Sequence, residues 1–172
     1  MDRNEEILKK IHSNDPEQIH EAIQAVKENG DLEIARTLLG QLGQISEPHT
    51  TTLLVNLLAD IKENNFRDVL IQQLKETDEP AIQCHLLRII WESSLDYSAY
   101  LDLSLQFLSR ADFTVAFEAS TVIENMVNHL DKTQKEKLHR FISAFPGDKL
   151  FLVENIHEEM HHSQEEEAEN EV

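Results

Sequence analysis

The chain has 172 residues, a length that suits one domain with a continuous core. Thirty-three acids against fifteen Lys and Arg give a formal charge of −18, which repels phosphate backbones and argues against nucleic acid as a partner. Four Gly and four Pro are too few for the many turns of an all-β domain, so long helices with short connections are expected.

From the N-terminus, the stretch MDRNEEILKKIHSND carries charges throughout and has no apolar core, so it does not read as a signal peptide and predicts instead a leader helix near 3–12. No apolar run approaches the roughly eighteen residues of a membrane span. Cys84 is the single cysteine, which fits a reducing compartment and predicts a cytoplasmic protein.

The next feature is periodic. Pro16, Pro48 and Pro80 stand 32 residues apart, each preceded by an acid (Asp15, Glu47, Glu79), and one period further on Asp112 follows Ala111. An acid followed by proline starts a helix for a physical reason. The carboxylate accepts from unpaired N–H groups of the first turn, and proline at the first helical position gives up an N–H that has no partner there.

Four blocks follow, 15–46, 47–78, 79–110 and 111–142, and the same columns are apolar in each. Ile23, Val55, Leu87 and Ala119 form one column, and Val26, Leu58, Ile90 and Val122 another three residues on, one stripe of a helix. In the second halves Leu42, Leu74 and Leu138 align, as do Leu38 and Leu70. The third block aligns after a one-residue slip, through Leu101, Leu105 and Leu108.

Each block reads as two helices. The first pair spans about 16–28 and 32–44, parted by an αL stop at Asn29-Gly30 and a new cap at Asp31. The others span about 48–62 and 66–77, 80–93 and 97–109, and 113–129 and 132–145. Pro146-Gly147 ends the last, a helix near 148–160 follows, and 162–172 is expected to be an acidic disordered tail. Residues 1–161 form the repeat domain, with the leader and C-terminal helices as polar end caps.

The first block, DPEQIHEAIQAVKENGDLEIARTLLGQLG, resembles the short HEAT-like (armadillo-type) repeats of bacteria, and ADFTVAFEASTVIENM resembles a first-helix segment of the same kind. The basic residue often found in the first turn of that family's first helix is missing from all four blocks. The resemblance covers about 15–145 and implies an all-α, right-handed α-α superhelix of about four helix pairs. In that family the second helices commonly line a concave face that binds extended partners. The positions expected to face outward there are Arg36 and Gln41, then Gln72, Gln73 and Lys75, then Tyr97, Tyr100, Gln106 and Arg110. Tyr and Arg are enriched at binding hot spots, which singles out the third block.

Catalytic motifs are few. His157-Glu158-Glu159-Met160-His161 matches H-E-x-x-H, in which two His one turn apart bind zinc and the Glu acts as base. A third ligand and a shaped, dry pocket are also required. The third ligand would have to come from elsewhere in the chain and the sequence offers no sheet to back the helix, so His157, His161 and His162 are weak metal candidates beside the plain reading of a polar helix. Cys84 and His85 are adjacent on a helix and point about 100° apart, so Cys84 reads as a buried thiol. Trp91 and Phe117 read as core.

Lys132, Lys135, Lys137, His139 and Arg140 form a local basic cluster. It reads first as a solvated helix face, and second as an anion or nucleic-acid contact or as a dock for the acidic tail. The expectation for function is therefore a protein-binding adaptor or scaffold with no catalytic activity and no cofactor, its partner a protein and a basic one fitting the charge. An acidic inhibitor or immunity-type protein is the alternative, and a metal-dependent hydrolase using the HEEMH segment a distant third.

Overall fold

The computed structural model describes residues 3–13, 15–29, 32–110 and 112–170, the side chains of 28, 29 and 164–170 excepted. Every regular element among the described residues is helical. In chain order these are α1 (Arg3–Ile11), α2 (Pro16–Asn29), α3 (Leu32–Gln41), α4 (Pro48–Ala59), α5 (Asn64–Glu76), α6 (Pro80–Glu92), α7 (Leu101–Leu108), α8 (Phe113–Met126), α9 (Lys132–Ser143) and α10 (Glu154–Asn170). Short 3-10 segments precede α7 (Ser98–Tyr100), follow α8 (Val127–His129) and precede α10 (Gly147–Leu152). No helix among the described residues is long and apolar enough to cross a membrane.

The helix starts follow the acid-proline logic, with one exception. Asp15 accepts from the Glu17 amide at 3.0 Å. Glu47 accepts from the amides of His49 at 2.9 Å and Thr50 at 2.5 Å, and from the Thr50 hydroxyl at 2.7 Å. Asp112 accepts from the Val115 amide at 3.0 Å. Glu79, although followed by Pro80, makes no side-chain cap bond. The start of α9 is better capped than its sequence suggests. Asp131 accepts from the Gln134 amide at 2.8 Å while the Gln134 side chain accepts from the Asp131 amide at 3.0 Å, a reciprocal box. The Gly30-Asp31 break lies outside the described residues.

The repeat columns are core. Ile23, Val55, Leu87 and Ala119 are buried, as are Val26, Leu58, Ile90 and Val122, and so are Leu38, Leu42, Leu70, Leu74, Leu101, Leu105, Leu108 and Leu138. Burial of a Leu or Val side chain is worth roughly 1.5–3 kcal/mol, so columns of this kind dominate what holds the helices together.

The chain divides into two compact units, Met1–Leu95 and Asp96–Val172. In the first, α2, α4 and α6 pack in succession to form one row, and α1, α3 and α5 a second. Cross-row packing joins α1 to α2, α3 to α4 and α5 to α6, so each second helix also supports the first helix of the next pair. The α3 exit comes close to α6 at Gly43, where a Cβ would stand 2.7 Å from Ile82 Cδ1.

In the second unit α7 packs on α8, and α10 lies against both α8 and α9. Polar ties fix α9: Gln134 Nε2 donates to the Ser98 carbonyl at 2.9 Å, and Lys137 pairs with Asp102 on α7. The Ser120 hydroxyl donates to the Leu152 carbonyl, joining α8 to the 3-10 segment before α10.

The C-terminal region departs from the expectation of one helix near 148–160 and a disordered tail from 162. Residues 147–152 form a 3-10 segment, and Val153 breaks it with φ −117° and ψ 0°. From Glu154 the backbone stays helical to Asn170. Ile156, Met160 and Ser163 supply a buried stripe at helical spacing, and the Glu and Ala residues that follow are good helix formers.

Candidate interaction surfaces

In the first unit the second helices α3 and α5 run beside each other and leave an open cleft of about 650 Å³. Leu32, Arg36, Asn65, Asp68, Val69, Gln72, Gln73 and Glu76 line it. Arg36 is exposed on one wall, and on the other Gln72 is exposed and Gln73 half-buried, so three residues expected to face a partner share one groove. Gln72 donates to Glu76 one turn on, at 2.5 Å. Small-molecule sites are mostly apolar and enclosed. This cleft is open and studded with amide, carboxylate and guanidinium groups, the complement of a peptide backbone.

The other expected outward positions divide. Gln41 is half-buried against α1, bonded to His12 Nε2 at 3.0 Å, and Lys75 is exposed. Tyr97 is not outward: it is 4% exposed. The helical phase assumed for it does not apply, because Tyr97 precedes the 3-10 turn and its carbonyl accepts from the Tyr100 amide at 2.8 Å. Tyr100 is half-buried, while Gln106 and Arg110 are exposed. The Arg110 guanidinium lies 4.2 Å over the Phe107 ring. These four belong to the second unit, and Arg36 and Gln73 to the first.

The basic cluster is not one patch. Lys132 and Arg140 are exposed, Lys137 is engaged by Asp102, and Lys135 donates to Ser163 on α10 at 2.8 Å. Lys135 therefore meets the C-terminal helix through a hydroxyl. The carboxylates from Glu165 onward lie outside the described side chains.

In the HEEMH segment Met160 is buried, and Glu159 accepts from Asn128 Nδ2 at 2.8 Å. His157 and His161 are exposed and their rings meet edge-on, centroids 4.5 Å apart. They line a shallow hollow with His139, Ile142 and Ser143 of α9, and His162 is exposed beyond it. Among the described residues no group of three or more His, Cys, Asp or Glu is arranged to hold a metal ion. Cys84 is half-buried rather than fully enclosed, as are His85 and Trp91.

Phe117, read as core, is 53% exposed, and it is not alone. Phe113, one turn earlier on α8, is 57% exposed, and Phe151 and Leu150 of the 3-10 segment are 52% and 45% exposed. The ring centroids of Phe113 and Phe117 are 6.3 Å apart and those of Phe113 and Phe151 5.8 Å. The signal was present in the repeat. The column of Phe113 holds Glu17, His49 and Ala81 in the other blocks, all exposed, and that of Phe117 holds Glu21, Leu53 and His85, none of them buried. An aromatic in a surface column has to be explained by something other than the core.

No family model, curated protein or solved structure matches the chain.

Proposed function

We propose that the chain is a HEAT-like, cytoplasmic protein-binding adaptor or scaffold without catalytic activity, whose second helices supply the concave face that receives an extended polypeptide. The observation that supports this reading best is the α3–α5 cleft. Arg36 of α3 and Asn65, Asp68, Gln72, Gln73 and Glu76 of α5 line it with hydrogen-bonding side chains, alongside Leu32 and Val69. Extended segments bind such surfaces through backbone hydrogen bonds, and side-chain pockets set the choice of sequence.

Site-specific photo-crosslinking tests it, with the reactive residue placed at Asp68 or Gln72 in the full chain. A protein captured from both positions, and lost from both when Arg36→Ala and Gln73→Ala are combined, is the expected result. Capture that is indifferent to the two substitutions removes the cleft from the function.

The charge of −18 favours a second reading, an acidic inhibitor or immunity-type protein that neutralises a basic partner. Such a complex associates fast at low salt and slows steeply as salt is added, whereas a peptide held in the cleft chiefly through its backbone hydrogen bonds depends on salt far less.

A further inference from the structure

We infer that Phe113, Phe117 and Phe151 form a second docking surface, independent of the α3–α5 cleft, for a basic amphipathic segment of another protein. Three observations support it. The aromatic rings come from two separate elements and converge, each with more than half of its surface open. Phe113 and Phe117 occupy repeat columns that are exposed or half-buried in every other block, so nothing in the packing of α8 requires them. The buried stripe of α8 runs instead through Val115, Ala116, Ala119, Val122, Ile123 and Met126. Contiguous exposed apolar surface of this kind marks an interaction site in a soluble protein.

The charge selects the occupant. Acids bracket the phenylalanines in sequence: Asp112 and Glu118 flank those of α8, and Asp148 and Glu154 flank Phe151. Lys149 and Arg110 are the nearby bases, outnumbered two to one. The whole second unit carries sixteen acids against six Lys and Arg. A second copy of the chain would bring a like-charged surface to the patch, and an anionic membrane would be repelled for the same reason. A segment with Lys or Arg along one face and large apolar side chains along the other satisfies both the rings and the rim. An amphipathic helix laid on an apolar surface is a recurring way for proteins to meet.

The test uses the full chain and a fluorescein-labelled amphipathic Leu/Lys peptide, with Ala/Lys and Leu/Glu versions of the same peptide as controls, read by fluorescence anisotropy. Wild-type protein should bind the Leu/Lys peptide and neither control with comparable affinity. Phe113→Ser/Phe117→Ser/Phe151→Ser, which leaves every charge in place, should weaken binding by roughly tenfold or more. Phe117→Ser and Phe151→Ser singly, on different elements, make the same comparison if the triple variant melts early. Arg36→Ala/Gln73→Ala should bind the peptide as wild type does, so a failed cleft leaves this surface standing and the reverse. Equal binding by the serine variants means that charge alone holds the peptide, and overturns the inference. So does equal binding of the Leu/Glu peptide, a wild-type dimer in sedimentation that the triple variant abolishes, or vesicle binding lost in the same variant.

Discussion

Glu47 and Glu79 show how much a single side chain decides at a helix start. Both precede a proline at the same point of the repeat, yet only Glu47 bonds the first turn. Its three donors, the Thr50 hydroxyl foremost and then the amides of Thr50 and His49, hold its carboxyl below the ordinary glutamate range. A carboxylate with a lowered folded-state pKa contributes stability that is fully present above its unfolded value, about 4.3, and is lost as pH falls through the folded value. Glu47→Ala should therefore lower the melting temperature at pH 7, and the gap to wild type should close on acidification below about pH 4. Glu79→Ala removes no cap bond and should lower it less. Thermal melts of the two variants across pH check this, and an equal loss from both would show that the bonds to Glu47 contribute nothing. The sequence cannot separate the two glutamates, because whether an acid bends back onto its own helix depends on its rotamer and neighbours. Tyr97 was opaque for a similar reason: its outward phase assumed a helix that starts four residues later.

At the scale of the helix, the buried columns were legible because period and burial are tied by geometry: residues three and four apart share a face, and a face repeated in register must be the one that packs. Leu58 and Leu53 make a sharp comparison on α4. Leu58 is fully buried in a repeat column, and Leu53 is half-buried in the column that holds Phe117. Leu58→Ala should cost about 2–5 kcal/mol, and Leu53→Ala distinctly less, in denaturant unfolding. Similar losses would mean that the columns do not mark the core. What stayed hidden were features set by single contacts across elements. The 3-10 segments around α7 and α8 lie at chain reversals where local bonds replace the α pattern. The Gln134 side chain both closes the capping box of α9 and reaches the Ser98 carbonyl. Gln134→Ala removes both bonds and should cost about 1–2 kcal/mol. A neutral result in the same unfolding assay would assign the docking of α9 to Leu138, Ile142 and its remaining polar ties, Lys137–Asp102 and Lys135–Ser163.

For the whole molecule, charge and apolar surface act at different ranges, and this separates their kinetic signatures. A field summed over −18 extends to about 8 Å at physiological ionic strength and further at low salt, so it acts before contact. The exposed phenylalanines act only once a partner has arrived and water has left the rings. The sequence revealed the first through a count of residues. It concealed the second, because an aromatic on a helix reads as core until the repeat column shows its neighbours in register to be Glu, His and Ala. Stopped-flow association of the Leu/Lys peptide with the full chain should therefore show an on-rate that falls steeply with added salt, and to the same extent in the triple serine variant. The off-rate should rise by roughly tenfold in that variant and change little with salt in either protein. Loss of the phenylalanines that instead lowers the on-rate and leaves the off-rate unchanged would mean that the rings take part in encounter but not in holding. The patch would then be a steering surface, and the residence of any basic partner would have to come from elsewhere on the chain.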